Sequence, residues 1–215
     1  DRVSFFPEIQ NAQDEGAFSD LIQEQLAKQA SSAELVSEGY RQIRALYPHI
    51  RLDVFLNNFF ITRISSRILC ENYVLMRSPQ DGFVGVIQRD VQPCQVVESL
   101  VSSLSDLARS IYGVMPEVKF RGNLTCTLDY IPRHVSFMLQ ELLKNAVRAT
   151  VERHLLNGHA NGGTPIPPVF VEFQKGDSHL IIKISDQGGG MPKQVQQEAW
   201  QYGWTSVRKE TDSAG

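Results

Sequence analysis

Several residue patterns are scarce or missing in this sequence of 215 residues, and each absence excludes a class of protein. Its only cysteines, Cys70, Cys94 and Cys126, lie far apart without a CxxC motif, so neither a disulfide framework nor a cysteine zinc site is expected. No run approaches the roughly 18 consecutive apolar residues of a membrane-spanning helix. The formal net charge is -3, which argues against a nucleic-acid-binding protein that relies on bulk positive charge.

Apolar residues recur at steps of three and four in the first part of the chain, which predicts α-helices. Two helices are predicted within residues 16–46, with a capping box at Ser31–Glu34 starting the second of them. A third is predicted over residues 51–77, where apolar residues on most sides indicate burial between other helices. A turn-rich stretch then predicts a linker. We therefore interpret residues 1–80 as a helical bundle domain and residues 81–215 as a second domain.

The second domain alternates helices with extended runs. Its predicted elements are a strand at 83–87, a helix from Pro93 to Gly113, a hairpin of 117–120 and 124–128, a long helix over 132–156, a hairpin of 169–173 and 179–184, and a short helix over 192–202. This order predicts an α/β sandwich with a mixed or antiparallel sheet.

The helix predicted from Pro132 carries a polar stripe. With a turn of about 100° per residue, the polar side chains fall within a sector about 60° wide. They are His134, Glu141, Asn145, Arg148 and Glu152. The opposite side is filled by Val135, Leu139, Leu142, Leu143, Ala146 and Ala149. Simple amphipathicity explains such a stripe, but an asparagine in mid-helix has poor helix propensity, which favours a task for its side chain.

Glu141 and Asn145 lie one turn apart on this stripe. A carboxylate and an amide oxygen are hard ligands that suit Mg²⁺, a cation that keeps several waters and binds phosphate oxygens. Lys144 and Arg148 lie beside them and could meet phosphate groups. The pattern therefore indicates a magnesium–phosphate site.

A second motif, Asp186-Gln-Gly-Gly-Gly190, follows an apolar strand. Its carboxylate can accept a hydrogen bond from an adenine amino group, and its glycines let a ligand approach the backbone closely. A glycine-rich turn after a strand is the alternative interpretation. The motif is not a Walker loop, because no Gly-Lys-Ser/Thr follows it. The HRD and DFG motifs of the usual protein kinases do not occur in the sequence.

Taken in this order, the two motifs resemble the nucleotide site of the GHKL ATPase/kinase superfamily. The run from Glu141 to Ala149 is similar to its N box, and Asp186–Gly190 is similar to its first glycine box. More narrowly, Phe60–Leu69 resembles the helical-domain signature of the mitochondrial α-keto acid dehydrogenase kinases. That family comprises the pyruvate dehydrogenase kinases and the branched-chain α-ketoacid dehydrogenase kinase.

The resemblance implies a role for each matching residue. Glu141 would be the general base that activates a substrate serine, and Asn145 would be the ligand of Mg²⁺. Asp186 would bind the adenine of ATP. Gly188 and Gly190 would line the adenine pocket, and Lys144 and Arg148 would lie near the phosphates or shape the site.

The family also implies a K⁺ site and further ATP contacts near the end of the chain. The backbone carbonyls of Ala199, Gln201 and Trp204 would bind K⁺, and the hydroxyls of Thr205 and Ser206 would contact ATP. An ordinary amphipathic helix end is the alternative for these five residues.

The implied activity is an ATP-dependent protein-serine kinase that phosphorylates the E1 α subunit of a mitochondrial 2-oxo acid dehydrogenase and so inhibits it. The helical domain would dock the lipoyl domain of the E2 core, the full-length protein would form a homodimer, and the location would be the mitochondrial matrix, although the chain shows no transit peptide. Phe137 stands where pyruvate-specific members often place a histidine, and Phe83–Ile87 and Ile184–Gly190 also lean towards the branched-chain kinase. A pyruvate dehydrogenase kinase is the alternative.

The family's second glycine box finds no match before Gly215, so the resemblance implies a nucleotide domain that is incomplete at its C-terminal side. Two further alternatives stay open. A sensor histidine kinase shares both boxes, but none of the five histidines stands in the expected His-Glu/Asp context on an early helix. A non-catalytic adaptor of the dehydrogenase complex would not need Glu141 and Asn145.

Overall fold

The computed structural model describes residues 8–29, 31–156 and 165–204, which form six α-helices and six β-strands. These residues divide into two compact units. One contains the described residues before Gln80 and those after Gly190; the other is Gln80–Gly190. The first division lies within one residue of the predicted boundary. The described residues from Met191 to Trp204, however, group with the helices and not with the second domain to which the sequence pattern assigned them.

The first unit contains three long helices, in the places that the apolar periodicity predicts. They are α1 (Ala12–Lys28), α2 (Ser32–Leu46) and α3 (Asp53–Met76). Asn11 begins α1, because its Oδ1 accepts hydrogen bonds from the backbone N–H groups of Gln13 and Asp14 at 2.9 and 3.0 Å. The predicted capping box is wrong, since Ser31 has helical backbone angles and makes no side-chain capping bond.

Packing within this unit runs mainly between α1 and α3. Ile22 of α1 and Leu56 of α3 are buried, and the rings of Phe18 and Tyr73 meet edge to face with centroids 5.5 Å apart. The predicted burial of α3 on most sides is wrong, because side chains such as Leu69 are 70% exposed. Helix α2 has no buried residue.

The second unit contains two small sheets and two long helices. The first sheet, in the order β1-β2-β4, is antiparallel and consists of β1 (Phe83–Val84), β2 (Ile87–Val91) and β4 (Leu128–Tyr130). The second sheet, in the order β3-β5-β6, consists of β3 (Val118–Gly122), β5 (Val169–Lys175) and β6 (Leu180–Ser185). The helices are α4 (Pro93–Tyr112) and α5 (Pro132–Leu156); the short α6 (Lys193–Glu198) follows and belongs to the first unit.

One core joins α4 and α5 to the second sheet. Val97, Leu143 and Phe173, one from each of these three elements, are fully buried in it. Burying a side chain of this size stabilises the fold by about 1.5–3 kcal/mol. The core therefore fixes α5 on the sheet whose last strand ends at Ser185, directly before the glycine motif.

The hairpin predicted between residues 117 and 128 is wrong. Strand β3 pairs in parallel with β5, and β4 belongs to the other sheet. Gly122 allows this arrangement: its φ is +81°, and a Cβ there would lie 2.2 Å from the carbonyl oxygen of Phe173. The predicted strand at 83–87 is also divided, because Gly85 has a φ of +55° and turns β1 back along β2.

The predicted fold class is confirmed as a helical N-terminal part with an α/β part of GHKL type. The hairpin of β5 and β6 is confirmed too, as is the mixed sheet. Among the helices of the described residues, none has the length and apolar character needed to cross a membrane.

Candidate functional site

Helix α5 buries its apolar side and presents the predicted site residues on the other. Val135, Leu139, Leu143 and Ala146 are buried, whereas Glu141 is half-buried and Asn145 is exposed. One apolar assignment is wrong: Leu142, at 53% exposure, lies outside the core. The buried side of α5 also includes Val147, Thr150 and Val151.

Glu141 is held by its neighbour one turn along the helix. The ammonium group of Lys144 donates a hydrogen bond to Glu141 Oε1 at 2.7 Å, and the two side chains are 41% and 43% exposed. A pair this exposed contributes about 0.2–1 kcal/mol. The carboxylate therefore has a defined position and is still open to a substrate.

The side chain of Asn145 makes no hydrogen bond with any of the described residues, so its amide oxygen is open to a ligand. No group of three or more His, Cys, Asp and Glu side chains that could hold a metal occurs in the part of the chain that the structure describes. Mg²⁺ needs no such group, since it typically takes one or two protein oxygens and completes its shell with water and phosphate. The oxygen donors of Asn145 and Glu141 fit this ion.

Arg148 is engaged with the last residue of the polar stripe. Its Nε donates to Glu152 Oε1 at 2.6 Å, and this hydrogen bond raises the pKa of the guanidinium above its ordinary value. A phosphate would have to compete with Glu152 for Arg148. Contact of Arg148 with a phosphate therefore stays a prediction, and it requires the ion pair of Arg148 and Glu152 to open.

The glycine motif begins with a turn that is closed by a hydrogen bond to the side chain of Asp186. The N–H of Gly188 donates to Asp186 Oδ1 at 2.8 Å, which fixes the direction of the carboxylate. No donor among the described residues contacts Oδ2. One carboxylate oxygen thus orders the loop, and the second is available to a ligand such as an adenine amino group.

Gly188 brings the two motifs together. A Cβ built at this position would lie 2.4 Å from the Cβ of Ala149 and 2.8 Å from its carbonyl carbon. Only a glycine against a small residue permits this approach. Asn145 and Glu141 precede Ala149 by one and two turns, about 6 and 12 Å along the helix axis. The glycine motif, with the predicted adenine-binding residue Asp186, therefore lies against the same side of α5 as Asn145 and Glu141, the predicted metal-binding residues.

We expect Gly188→Ala to destabilise the second unit by about 1–3 kcal/mol, as overpacking of a close contact does. The φ of Gly188 is not positive, so the methyl group, and not backbone strain, carries the effect. Thermal unfolding checks this, with Gly39→Ala in α2 as the control because its Cβ would meet nothing within 4 Å. Adding Ala149→Gly should restore part of the loss; an unaltered midpoint in the single variant would contradict the contact.

The residues predicted to bind K⁺ lie in the turn after α6. The N–H of Gln201 donates to the Glu198 carbonyl at 2.9 Å, and the N–H of Trp204 donates to the Gln201 carbonyl at 3.2 Å. Ala199 is the first residue after the helix. Thr205 and Ser206 lie outside the described residues. Binding of K⁺ and of ATP by this segment stays a prediction.

Tyr202 explains why this segment groups with the first unit. Its hydroxyl donates to Asn57 Oδ1 at 2.6 Å, and its ring stacks on Phe60 with centroids 5.6 Å apart. Its carbonyl accepts a hydrogen bond from Arg44 at 3.0 Å. These contacts link residues more than 140 positions apart, so no local pattern predicts them.

Sequence reasoning missed one residue beside the glycine motif. Arg153 lies four positions after Ala149 on α5, and its side chain approaches Gly189. The sequence signal that could have identified Arg153 is its position four residues after the small residue Ala149.

Comparison with known proteins gives a consistent group of relatives. A family model described as mitochondrial branched-chain alpha-ketoacid dehydrogenase kinase matches residues 1–88. The mitochondrial pyruvate dehydrogenase (acetyl-transferring) kinase of Arabidopsis thaliana is 27% identical over 208 residues, 94% of this chain and 56% of the plant protein. Its namesake in Schizosaccharomyces pombe is 31% identical over 160 residues, 73% of this chain and 36% of the yeast protein.

Human pyruvate dehydrogenase (acetyl-transferring) kinase isozyme 4, mitochondrial, is 30% identical over 166 residues, 73% of this chain and 39% of the human protein. The chain thus spans 56% or less of the length of these three relatives. The chain belongs to the mitochondrial α-keto acid dehydrogenase kinase family.

Proposed function

We propose that the protein is a protein-serine kinase that uses ATP and Mg²⁺ to phosphorylate the E1 α subunit of a mitochondrial 2-oxo acid dehydrogenase complex, and thereby inhibits that complex. The observation that carries the proposal is the close contact of Gly188 with Ala149, which sets Asp186 and the open face of α5 side by side. The names of the relatives support the same reaction and a mitochondrial location, which we place in the matrix.

In this proposal each residue has a task that its surroundings allow. The free oxygen of Asp186 accepts a hydrogen bond from the adenine amino group, and Gly188 and Gly190 line the pocket of the ring. The amide oxygen of Asn145 holds Mg²⁺, which supplies charge neutralisation on the phosphates when bound. The carboxylate of Glu141 takes the proton of the substrate hydroxyl, and Lys144 fixes the position of that carboxylate.

The choice of dehydrogenase rests on two kinds of support. The name of the family model over residues 1–88 and the aromatic Phe137 favour the branched-chain complex. The names of the relatives, which match 73–94% of the chain, favour the pyruvate complex. Since the Arabidopsis thaliana relative matches 94% of the chain, which includes both boxes, we propose pyruvate dehydrogenase E1 as the first substrate to test.

We also propose the family's assembly for the full-length protein: docking of the E2 lipoyl domain, a homodimer, and K⁺ at the carbonyls of Ala199, Gln201 and Trp204. Arg148 joins the phosphates when its pair with Glu152 opens. Thr205 and Ser206 complete the ATP contacts.

A side-by-side phosphotransfer assay tests the proposal. The full-length protein is incubated with ATP and Mg²⁺ and with purified pyruvate or branched-chain dehydrogenase E1, and phosphoserine on the α subunit is quantified by mass spectrometry. Phosphorylation of one E1 with loss of dehydrogenase activity is the expected result. Phosphorylation of neither E1 by a protein that binds ATP would contradict the kinase function and favour the adaptor.

A further inference from the structure

The guanidinium of Arg153 lies flat against the glycine turn. A Cβ built at Gly189 would lie 3.6 Å from Nε and 3.7 Å from both Cδ and Cζ of Arg153. Three consecutive atoms at nearly equal distances place that point over the face of the group and not at its tip. Gly189 has a φ of +90° and no side chain, so the turn offers the guanidinium a bare backbone surface.

The two arginines of the last turns of α5 differ in their partners. Arg148 is tied to Glu152 at 2.6 Å. Arg153 is exposed and forms no ion pair or hydrogen bond with any residue in the ranges that the structure describes, Asp186 included. A planar cation at the edge of a ligand site with no acidic partner is suited to bind the ligand itself.

The position of Arg153 along α5 decides which part of a nucleotide it can reach. It follows Asn145 by eight residues, about 12 Å along the helix axis, with the contact of Ala149 and Gly188 between them. If phosphates lie at the Asn145 end and adenine at Asp186, Arg153 lies beyond the base. A contact with the purine ring is therefore favoured over a contact with the triphosphate.

A simpler role for Arg153 is to stabilise the C-terminal end of α5. A positive charge in the last turn interacts favourably with the helix dipole. Lysine performs that task equally well, but it lacks the flat guanidinium that can cover an aromatic ring. The two roles therefore separate in an Arg153→Lys variant.

We propose that Arg153 is a nucleotide-binding residue whose guanidinium covers the exposed face of the purine ring, on the side of the site opposite to Asn145. This inference rests on the proposed ATP site of α5 and Asp186–Gly190. It assigns to Arg153 a part of the affinity for the purine ring.

The test measures the affinity of the full-length protein for ATP, ADP and adenosine by titration calorimetry. We expect Arg153→Ala to weaken all three ligands by a similar factor of about 2- to 30-fold, the range of a cation over an aromatic ring. Arg153→Lys should recover the thermal unfolding midpoint but not the full affinity. Arg109→Ala, which removes an exposed arginine of α4, is the matched control and should leave all three affinities unaltered.

Each other outcome overturns the inference in a defined way. Wild-type affinity in Arg153→Ala, or full affinity in Arg153→Lys, would leave only a role at the helix end. A loss that appears with ATP and ADP but not with adenosine would move the contact to the phosphates. If the wild-type protein binds none of the three, the proposed ATP site fails and this inference with it, whereas binding by the wild type with an unaltered Arg153→Ala contradicts the inference alone.

Discussion

Glu141→Gln is expected to retain ATP binding and to lose phosphotransfer to dehydrogenase E1 by about 10²- to 10⁴-fold, the usual contribution of a positioned general base. Glutamine has the same shape and still accepts a hydrogen bond from Lys144, but it cannot take a proton at neutral pH. The lost ion pair is exposed and contributes only about 0.2–1 kcal/mol, so the fold should survive. Turnover on E1 and the dissociation constant of ATP, measured on the same preparation, check the prediction.

Glu152→Gln is the matched control for this experiment. Glu152 is also a half-exposed glutamate on α5 paired with a cation, at 2.6 Å from Arg148, but it lies about three turns beyond Glu141. Its replacement removes no base and also frees Arg148 from its pair, so turnover should not fall by more than about threefold. An equal loss in both variants, or a loss below about threefold in Glu141→Gln, would remove Glu141 from the role of base.

Asn145→Ala is expected to abolish the part of ATP affinity that depends on Mg²⁺. The amide oxygen of Asn145 has no partner among the described residues, so its removal breaks no internal hydrogen bond. Alanine is the better helix former by up to about 0.7 kcal/mol, so thermal stability should rise slightly while binding falls. Opposite signs for stability and binding distinguish a ligand from a structural residue.

The measurement for Asn145→Ala is ATP titration with Mg²⁺ and with a chelator. In the wild type the two curves should differ, and in the variant they should coincide. Asn145→Asp keeps an oxygen donor at the same distance from the backbone and should retain some dependence on Mg²⁺. Wild-type affinity with Mg²⁺ in Asn145→Ala would contradict the ligand role.

Local patterns were sufficient for the positions of the long helices and, apart from Leu142, for the division of α5 into two sides. Helix α5 runs from Pro132 to Leu156 as its periodicity predicts, and α4 ends where Gly113 takes the left-handed conformation. Each residue of a helix interacts mainly with neighbours three and four positions away, so this information lies in the sequence itself. The tight hairpin of β5 and β6 was predictable for the same reason.

Local patterns did not predict the pairing of strands that are distant from each other in the sequence. The run at 117–120 pairs with β5, about 50 residues later, and not with the run that follows it. Alternation shows that a segment is extended, but it does not identify the neighbouring strand, which depends on how the whole sheet packs under α4 and α5. The same holds for Tyr202, whose contacts with Asn57 and Phe60 assign its segment to the helices.

The candidate site shows both situations together. The residue types and spacings of Glu141, Asn145 and Asp186 are properties of the sequence, because each motif is contiguous. Their meeting is a property of the tertiary structure, because it depends on Gly188 reaching Ala149 across a gap of 39 positions. Arg153 is part of the candidate site only because this contact places the glycine turn beside the C-terminal end of α5. Burial of the core formed by Val97, Leu143 and Phe173 fixes α5 on the sheet. This packing joins residues that are distant in the sequence, so the periodicity of one segment does not predict it. It determines which residues lie beside the glycine turn.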